Sequence, residues 1–291
     1  MNAPPLARLP QAFFLPTDTG QRFCLFHPPQ GVARGRVLYL HPFAEELNTT
    51  RRTVAQQARA LAQAGFAVLQ IDLLGCGDSS GDFADATWHA WLQDAEQACD
   101  WLSERTSGPL WLWGMRSGAL LATQLLHRRQ ATVKEPIHLL LWQPVASGQQ
   151  MLQQFLRLRA ASQWLGVGSA GEVSAAQLLA QGQAVDIAGY TLGPALAQGL
   201  GEARLQPSAA VPPGPLVWLE VSSQHAPTLS AFADKALAPW RAAGWQVQAQ
   251  AVAGPAFWQT VGFDDAPALL HATQQALTHC ASEPAAMPWA L

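Results

Sequence analysis

A short glycine-flanked motif in the middle of the chain has the spacing of a catalytic turn. The sequence GMRSG at 114–118 follows a short apolar run at 110–113 and precedes apolar residues at helical spacing. This strand–turn–helix context is that of the G-x-S-x-G nucleophile elbow, whose third residue is the nucleophile. Here the third residue is Arg116, a poor nucleophile whose guanidinium binds carboxylates and phosphates well. The motif predicts that Arg116 occupies a sharp turn from which the helix begins at Ser117; an ordinary turn with an exposed arginine is the alternative.

Ionisable residues also follow the strand predicted at 36–40. His41 begins the loop that supplies half of an oxyanion hole in enzymes with such an elbow, and Glu45 and Glu46 come directly after it. His41 has either a chemical role or the role of a hydrogen-bonded loop anchor. The two carboxylates either take part in the chemistry or, together with the nearby Arg51, belong to a solvated helix start with internal ion pairs.

The remaining members of a hydrolytic triad are expected late in the chain, in the order nucleophile, acid, base. Glu220 and His225 lie near the turn that follows the strand predicted at 216–221, which makes Glu220 the candidate acid. After the last predicted strand, Phe257 stands at or near the place of the base. The usual nucleophile and the usual base are therefore both missing from the pattern.

Apolar, β-rich runs alternate with amphipathic helical patterns along the chain, which predicts an α/β fold with a mostly parallel sheet and helices on both faces. Between 148 and 211 the strand signal disappears, and a Gln- and Ala-rich segment ends in PPGP at 212–215. We interpret 148–211 as a helical cap insertion within a single domain, 1–291. In the helix predicted near Trp88, apolar residues form a core-facing stripe and Asp94 falls between them. The predicted strands are 22–27, 36–40, 66–71, 110–113, 137–143, 216–221 and 246–252.

Composition limits the classes of partner. The 291 residues carry a net charge of -3 and no long basic run, which argues against a nucleic-acid partner or a polybasic membrane patch. No apolar stretch is long enough to predict a membrane span, and 1–17 lacks the pattern of a secretory signal. The four cysteines form neither a CxxC pair nor a zinc pattern, so we expect reduced thiols, a cytoplasmic protein, and neither metal nor cofactor. The expected ligand is a small anionic or acyl molecule, and the oligomeric state is left open.

Several motifs together resemble a known family. They are HPFAEE at 41–46 with Asn48, Arg51 and Arg52, the segment 70–81, WGMR at 113–116, WQP at 142–144 and GPAFW at 254–258. This pattern resembles the second of the two α/β-hydrolases associated with exosortase A systems, from about residue 11 to residue 277. The resemblance implies an α/β-hydrolase fold, and a setting in which PEP-CTERM proteins are sorted and extracellular polysaccharide is made. The family pattern also has arginine at the position of Arg116.

Two functional hypotheses follow. The first is an enzyme acting on an ester, thioester or acyl-carrier substrate, in which Arg116 clamps an anionic group and a carboxylate or histidine activates water. Its candidate residues are His41, Glu45, Glu46, Arg116 and Glu220. The second is a non-catalytic pseudo-hydrolase that holds an anionic metabolite or partner through Arg116.

Overall fold

The structure is a computed structural model that describes residues 8–129, 136–162, 173–260 and 264–282. The strands are β1 Gln11–Thr17, β2 Gly20–His27, β3 Gly35–Leu40, β4 Phe66–Ile71, β5 Leu110–Met115, β6 His138–Trp142, β7 Val185–Ile187, β8 Tyr190–Leu192, β9 Pro215–Ser222 and β10 Gln246–Ala253. The helices are α1 Glu46–Gln63, α2 Trp88–Arg105, α3 Gly118–Arg129, α4 Gly148–Ser162, α5 Ala175–Ala180, α6 Pro194–Glu202, α7 Ala231–Ala242 and α8 Pro267–Ser282, with a short 3-10 helix at Phe83–Asp85.

Eight strands form one twisted sheet in the order β1-β2-β4-β3-β5-β6-β9-β10. The six strands from β4 to β10 in this order are parallel, while β2 runs antiparallel to β4 and β1 runs antiparallel to β2. Parallel strands end at the same edge, so the loops that follow β3, β5, β6, β9 and β10 come together at one side of the sheet. The predicted mostly parallel sheet is confirmed.

Helices cover both faces of the sheet, as predicted. On one face α1 and α8 pack against the strands, and on the other face α2, α3 and α7 do so. The side chains of β3 show why both faces are apolar: Val37 and Tyr39 belong to the core under α1, whereas Leu38 and Leu40 belong to the opposite core. Alternating side chains of a strand point to opposite faces, so a strand covered on both sides is continuously hydrophobic.

Two parts of the chain differ from the prediction. Strand β1 was not predicted, because it is an edge strand with mostly exposed side chains and a weak pattern. The insertion between β6 and β9 is not wholly helical: β7 and β8 form a hairpin, whose turn has positive φ at Ala188 and Gly189. Residues 163–172 of the predicted cap and 1–7 of the amino-terminal segment lie outside the described residues. The division into one domain with a cap at 148–211 stays a prediction.

The insertion packs against the loops at the carboxyl ends of β3 and β4. On α4, the ring of Phe155 lies 5.1 Å from the ring of Phe43, in the loop after β3. On β8, the ring of Tyr190 lies 5.1 Å from the ring of Phe83, in the 3-10 helix. The hairpin and α4 therefore lie beside the edge at which the loops converge. Within the described residues, no helix is long and apolar enough to cross a membrane.

A buried ion pair links the antiparallel side of the sheet to α2. The guanidinium Nε of Arg22 on β2 lies 2.8 Å from Oδ2 of Asp94, and the two side chains are 0% and 4% exposed. Asp94 also accepts a 2.8 Å hydrogen bond from the main-chain N–H of Leu74. The sequence pattern placed Asp94 among the polar residues of α2, but the Arg22 charge draws it into the interior. Two charges removed from water must be paired, so this contact is a strong structural constraint.

We expect Asp94→Asn to lower the free energy of unfolding by about 3–5 kcal/mol, because the Arg22 guanidinium then remains buried without a counter-charge. Urea unfolding followed by circular dichroism measures the change. Glu104→Gln is the matched control, because the Glu104 carboxylate is 73% exposed where it pairs with Arg105. The free energy of unfolding of this control should stay within about 0.5 kcal/mol of the wild-type value. An equally small effect of Asp94→Asn would contradict the structural role of the pair.

Candidate functional site

Arg116 lies in the turn between β5 and α3, as predicted, with helix α3 beginning at Gly118. Its φ is +53°, in the left-handed region that non-glycine residues rarely adopt. Its main-chain N–H donates a 3.0 Å hydrogen bond to the carbonyl of Trp142 at the end of β6. Its carbonyl accepts a 3.1 Å hydrogen bond from the N–H of Ala119. The turn is therefore held from both sides, by the neighbouring strand and by the start of the helix.

The two glycines of the motif make this turn sterically possible. A Cβ atom on Gly114 would lie 2.5 Å from the Cα of Ala119, and one on Gly118 would lie 2.2 Å from the carbonyl oxygen of Leu40. Strand β5, helix α3 and the end of β3 approach too closely for any side chain at these positions. The local sequence thus forces a tight turn, and Arg116 at its centre projects from the carboxyl edge of the sheet.

The Arg116 guanidinium forms a bidentate ion pair with Glu46, the first residue of α1. Nε lies 3.1 Å from Oε1 and 3.3 Å from Oε2, and Nη2 lies 3.1 Å from Oε1. The side chains of Arg116 and Glu46 are only 12% and 7% exposed. Several parallel N–H···O contacts to one carboxylate make this the strong, geometrically specific form of an arginine pair. Of the candidate carboxylates Glu45, Glu46 and Glu220, Glu46 is the one that pairs with Arg116 in the described structure.

Two further contacts define the surroundings of the pair. The Cζ atom of Arg116 lies 5.6 Å from the centre of the Trp258 ring, within the range of a cation–π contact. Burial raises the pKa of the Glu46 carboxyl; the positive charge and hydrogen bonds of Arg116 oppose this rise, and the negative charge of Glu45 adds to it. Glu46 therefore depends on Arg116 to remain ionised in the interior.

His41 has the geometry of a loop anchor. Its ring Nδ1 lies 2.8 Å from the carbonyl oxygen of Pro42, and its Nε2 accepts a 3.4 Å hydrogen bond from the N–H of Leu73. Because Nε2 accepts, Nδ1 carries the proton and donates it to the carbonyl. The side chain is 3% exposed, and burial lowers its pKa. Both ring nitrogens are thus engaged with the main chain, so the contacts favour the anchor alternative over a chemical role.

Glu45 precedes α1 and is partly buried. Its atom Oε2 is shielded from solvent and has no hydrogen-bond partner within the described chain. The side chain forms no capping hydrogen bond with the helix, although it lies at the helix end that favours negative charge. Glu45 is close to the Arg116 pair, since its charge acts on Glu46. Its carboxylate is thus a hydrogen-bond acceptor left unused inside the protein.

Glu220, the candidate acid, belongs to a different environment, with hydrogen-bond donors from Trp218 and Ser230. Its Oε1 accepts hydrogen bonds of 3.1 Å from Nε1 of Trp218 and 2.9 Å from Oγ of Ser230, and its Oε2 accepts a 2.7 Å bond from the N–H of Ser230. Ser230 is the N-cap of α7. Glu220 shares a strand face with Trp218, directed towards α7, and it anchors the beginning of that helix.

The position expected for a catalytic base contains aromatic residues. Phe257 and Trp258 follow β10 and are 1% and 5% exposed. Thr49 Oγ1 donates a 3.1 Å hydrogen bond to the carbonyl of Trp258, which fixes this turn against α1. Ser117, the serine next to the elbow position, is 3% exposed. In the part of the chain that the structure describes, no histidine donates to or accepts from its hydroxyl.

The sequence did not identify all residues around the pair. Trp258 was noted within a motif but not as a contact of Arg116, although an aromatic residue after the last strand beside a buried arginine is a recognisable signal. Tyr190 gave no signal, because it lies in the insertion, far from the other site residues in sequence. Its hydroxyl accepts a 3.4 Å hydrogen bond from Nδ2 of Asn48, in the first turn of α1.

A separate small cavity of about 50 Å³ lies between α1 and strands β2, β3 and β4. Its polar lining includes Tyr39, His41, Arg51 and Asp72, and Arg116 does not line it. Arg51 Nη2 lies 3.0 Å from Oδ2 of Asp72, so these two charges compensate each other. Among the described residues, no three His, Cys, Asp or Glu side chains are grouped as a metal site.

We expect Arg116→Ala to destabilise the protein increasingly as the pH rises. Without Arg116 the pKa of Glu46 rises further, so the folded variant binds a proton that the unfolded chain has lost. Stability decreases with pH wherever the folded state binds more protons than the unfolded chain. Because burial already raises the pKa of Glu46 in the folded wild type, the difference between the two proteins begins near that raised pKa and grows until the still higher pKa of the variant. Urea unfolding at a series of pH values measures the difference from the wild type, which should reach about 3–5 kcal/mol.

The control for this experiment is the same substitution in a Glu46→Gln background. Glutamine cannot titrate, so the effect of Arg116→Ala should there be independent of pH across the glutamate range. An effect of Arg116→Ala that is already independent of pH with Glu46 present would mean that the two charges are not coupled.

Comparison with known proteins agrees with this architecture. A family model described as serine aminopeptidase, S33, matches residues 31–174, just under half of the chain. No curated protein matches the chain significantly in sequence. Solved structures similar to this chain include the α/β-hydrolase GrgF from Penicillium sp. sh18. The two are 15% identical, the match covers 95% of this chain and 100% of that chain, and the TM-score is 0.61.

Two further solved structures are similar. Est1E from Butyrivibrio proteoclasticus, solved with ferulic acid, is 14% identical over 92% of this chain and 97% of that chain, with a TM-score of 0.59. A carboxyl esterase from Bacillus coagulans, solved with glycerol, is 14% identical over 85% of this chain and 91% of that chain, with a TM-score of 0.56. At these identities the likeness concerns the fold and not the activity. The chain has the α/β-hydrolase fold, and residues 31–174 carry its likeness to the S33 family model.

Proposed function

We propose that the chain is a non-catalytic binding protein built on the α/β-hydrolase fold, and that it holds an anionic metabolite or partner group through Arg116. The observation that carries this proposal is the buried bidentate pair between Arg116 and Glu46 at the elbow. A guanidinium stays protonated at any biological pH, so it cannot attack a carbonyl group. It can bind a carboxylate or a phosphate with its planar set of donors.

Glu46 determines how such a ligand binds. An incoming anion must replace the Glu46 carboxylate on the guanidinium, and the displaced carboxylate then lies in a poorly solvated position. Protonation of Glu46 relieves this cost, so anion binding is coupled to proton uptake and strengthens as the pH falls. Because an internal competitor has to be displaced, the affinity is modest.

The cellular setting is part of the proposal. The resemblance to the second exosortase A-associated hydrolases supports a role beside the machinery that sorts PEP-CTERM proteins or makes extracellular polysaccharide. The free cysteines Cys24, Cys76 and Cys99 are buried, and burial raises the pKa of each thiol, Cys24 and Cys99 to about 12. Unreactive, unpaired thiols agree with a reducing cytoplasmic compartment.

A second candidate is an ester, thioester or acyl hydrolase or transferase in which Arg116 clamps the substrate. The observation that favours it is the unused, shielded carboxylate oxygen of Glu45, which could accept a proton from water. His41 is less suited to that task, because both of its ring nitrogens are engaged with the main chain. Glu220 is equally occupied by its donors from Trp218 and Ser230.

We expect that a fluorophosphonate probe does not label the purified protein. Such probes need an activated serine, and the Ser117 hydroxyl has no basic partner among the described residues, so it is a weak nucleophile. Labelling is measured by intact-protein mass spectrometry, with a known serine esterase as positive control. Stoichiometric labelling that is lost in Ser117→Ala would restore an ordinary serine hydrolase. Turnover of p-nitrophenyl butyrate that is lost in Glu45→Gln but not in Ser117→Ala would favour the second candidate.

We expect acetyl phosphate and butyrate to bind the wild type in titration calorimetry, and Arg116→Ala to weaken binding by about 1.5–3 kcal/mol, the contribution of a hydrogen bond to a charged group. Arg116→Lys should recover only part of this, because an ammonium cannot form the planar, forked contact. Glu46→Gln should bind more tightly than the wild type, because it removes the charged competitor.

The surface variant Glu104→Gln serves as control for the titrations and should bind like the wild type. Each variant is first checked for cooperative thermal unfolding, so that a loss of binding is not a loss of folding. If the wild type, Arg116→Ala and Arg116→Lys bind the anions equally, Arg116 is only a structural residue of the turn and the proposal is wrong.

A further inference from the structure

The buried oxygen of Glu45 is the feature of this site that the proposed function leaves unexplained. A buried carboxylate oxygen without a donor is costly, and native structures rarely leave one so. The backbone of Glu45 has φ -60° and ψ -28°, so it is already helical and presents its side chain as part of α1. The main-chain N–H groups of the first turn do not reach the carboxylate. Within the described residues this oxygen has no donor, so it is available to accept a hydrogen bond from a bound group.

Glu45 and Asn48 lie on the same side of the start of α1, since residues three apart are neighbours on a helix surface. Asn48 donates its hydrogen bond to the hydroxyl of Tyr190 on the insertion hairpin. Burial raises the pKa of Tyr190, and the charge of Glu45 raises it further. The start of α1 that carries Glu45 is thus joined to the hairpin through Asn48, and Glu45 itself is partly buried.

The charges around the elbow leave one negative charge uncompensated. Arg116 is balanced by Glu46, and Arg51, the first cation along α1, is balanced by Asp72. Within the described residues, no arginine, lysine or histidine forms an ion pair with Glu45. A ligand that carries only an anionic group would approach Arg116 against the field of Glu45. A ligand that also carries a positive charge would meet an attractive field at both positions.

We propose that the natural ligand of this site is zwitterionic, with its carboxylate or phosphate on Arg116 and its ammonium group on Glu45. This inference rests on the proposed anion site at Arg116. An ammonium group supplies three donors and a positive charge, so it satisfies both the missing hydrogen bond and the missing counter-charge of Glu45. A hydroxyl group would satisfy the hydrogen bond alone.

The test compares matched pairs of small ligands by titration calorimetry on the full-length protein. The probes are β-alanine, 4-aminobutyrate and 5-aminovalerate, each against the plain carboxylate of the same chain length: propionate, butyrate and valerate. 4-Hydroxybutyrate tests an uncharged donor. We expect the best-fitting amino acid of the series to bind at least about tenfold more tightly than its plain carboxylate, which is the effect of one additional charge-assisted contact. 4-Hydroxybutyrate should bind less tightly than 4-aminobutyrate.

Glu45→Gln is the variant that assigns the effect to its residue, with Glu104→Gln as the surface control. The substitution should remove the preference for the amino group and strengthen the binding of butyrate, because the negative charge of Glu45 no longer opposes an approaching anion. The ligand series on the wild type gives an answer even if this variant folds poorly. Amino acids that bind no better than plain carboxylates, or no better than 4-hydroxybutyrate, would overturn the inference.

The same titrations separate this inference from the proposed function. If butyrate binds in an Arg116-dependent manner but no amino acid binds better, the anion site stands and the zwitterion inference fails. If the binding of neither kind of ligand depends on Arg116, the proposed function fails and the inference fails with it.

Discussion

The buried ion pair between Arg116 and Glu46 is the contact on which the arrangement of this site depends. It joins the turn after β5 to the first residue of α1, and the turn after β10 supplies the ring of Trp258 beside it. These segments are far apart in sequence and meet only because parallel strands end at one edge of the sheet. Neither charge can be left alone in the interior, so the pair restricts all three segments to one relative arrangement.

The backbone at Arg116 has a strained, left-handed conformation. A residue with φ +53° costs free energy and persists only where the surrounding structure enforces it. In a serine hydrolase that strain presents a nucleophile at the edge of the sheet. Here the same strain presents a guanidinium, which has no use as a nucleophile. The turn therefore directs the Arg116 side chain to the carboxyl edge of the sheet, where it pairs with Glu46.

Local patterns allowed the fold and the elbow to be predicted from the sequence. The place of Arg116 follows from a strand, two glycines and a helix that are adjacent in the chain. The partner of Arg116 could not be predicted in the same way. Which of Glu45, Glu46 and Glu220 pairs with it depends on how α1 and β9 pack against the turn. Glu220 illustrates the limit: its position at a strand end was correct, but it shares the face of Trp218, which is directed towards α7.

The unpredicted strands and the interior position of Asp94 have a similar explanation. Strand β1 and the β7–β8 hairpin are too exposed or too short for a clear alternating pattern. From the sequence alone, Asp94 is expected to be exposed. It is buried because it pairs with Arg22 from a strand that is distant in sequence. Long-range charge pairing overrides a local hydrophobic pattern, and one sequence does not reveal which distant residues will meet.

The beginning of α1 connects the two functional parts of the molecule. Glu46 and Asn48 are two residues apart, so their side chains leave the helix in roughly opposite directions, about 200° apart at 3.6 residues per turn. Glu46 contacts the elbow, and Asn48 contacts the insertion hairpin through Tyr190. Glu45 lies on the hairpin side, one residue before the one that holds Arg116. A displacement of Glu46 from Arg116 would therefore act on the helical turn that also contacts the hairpin.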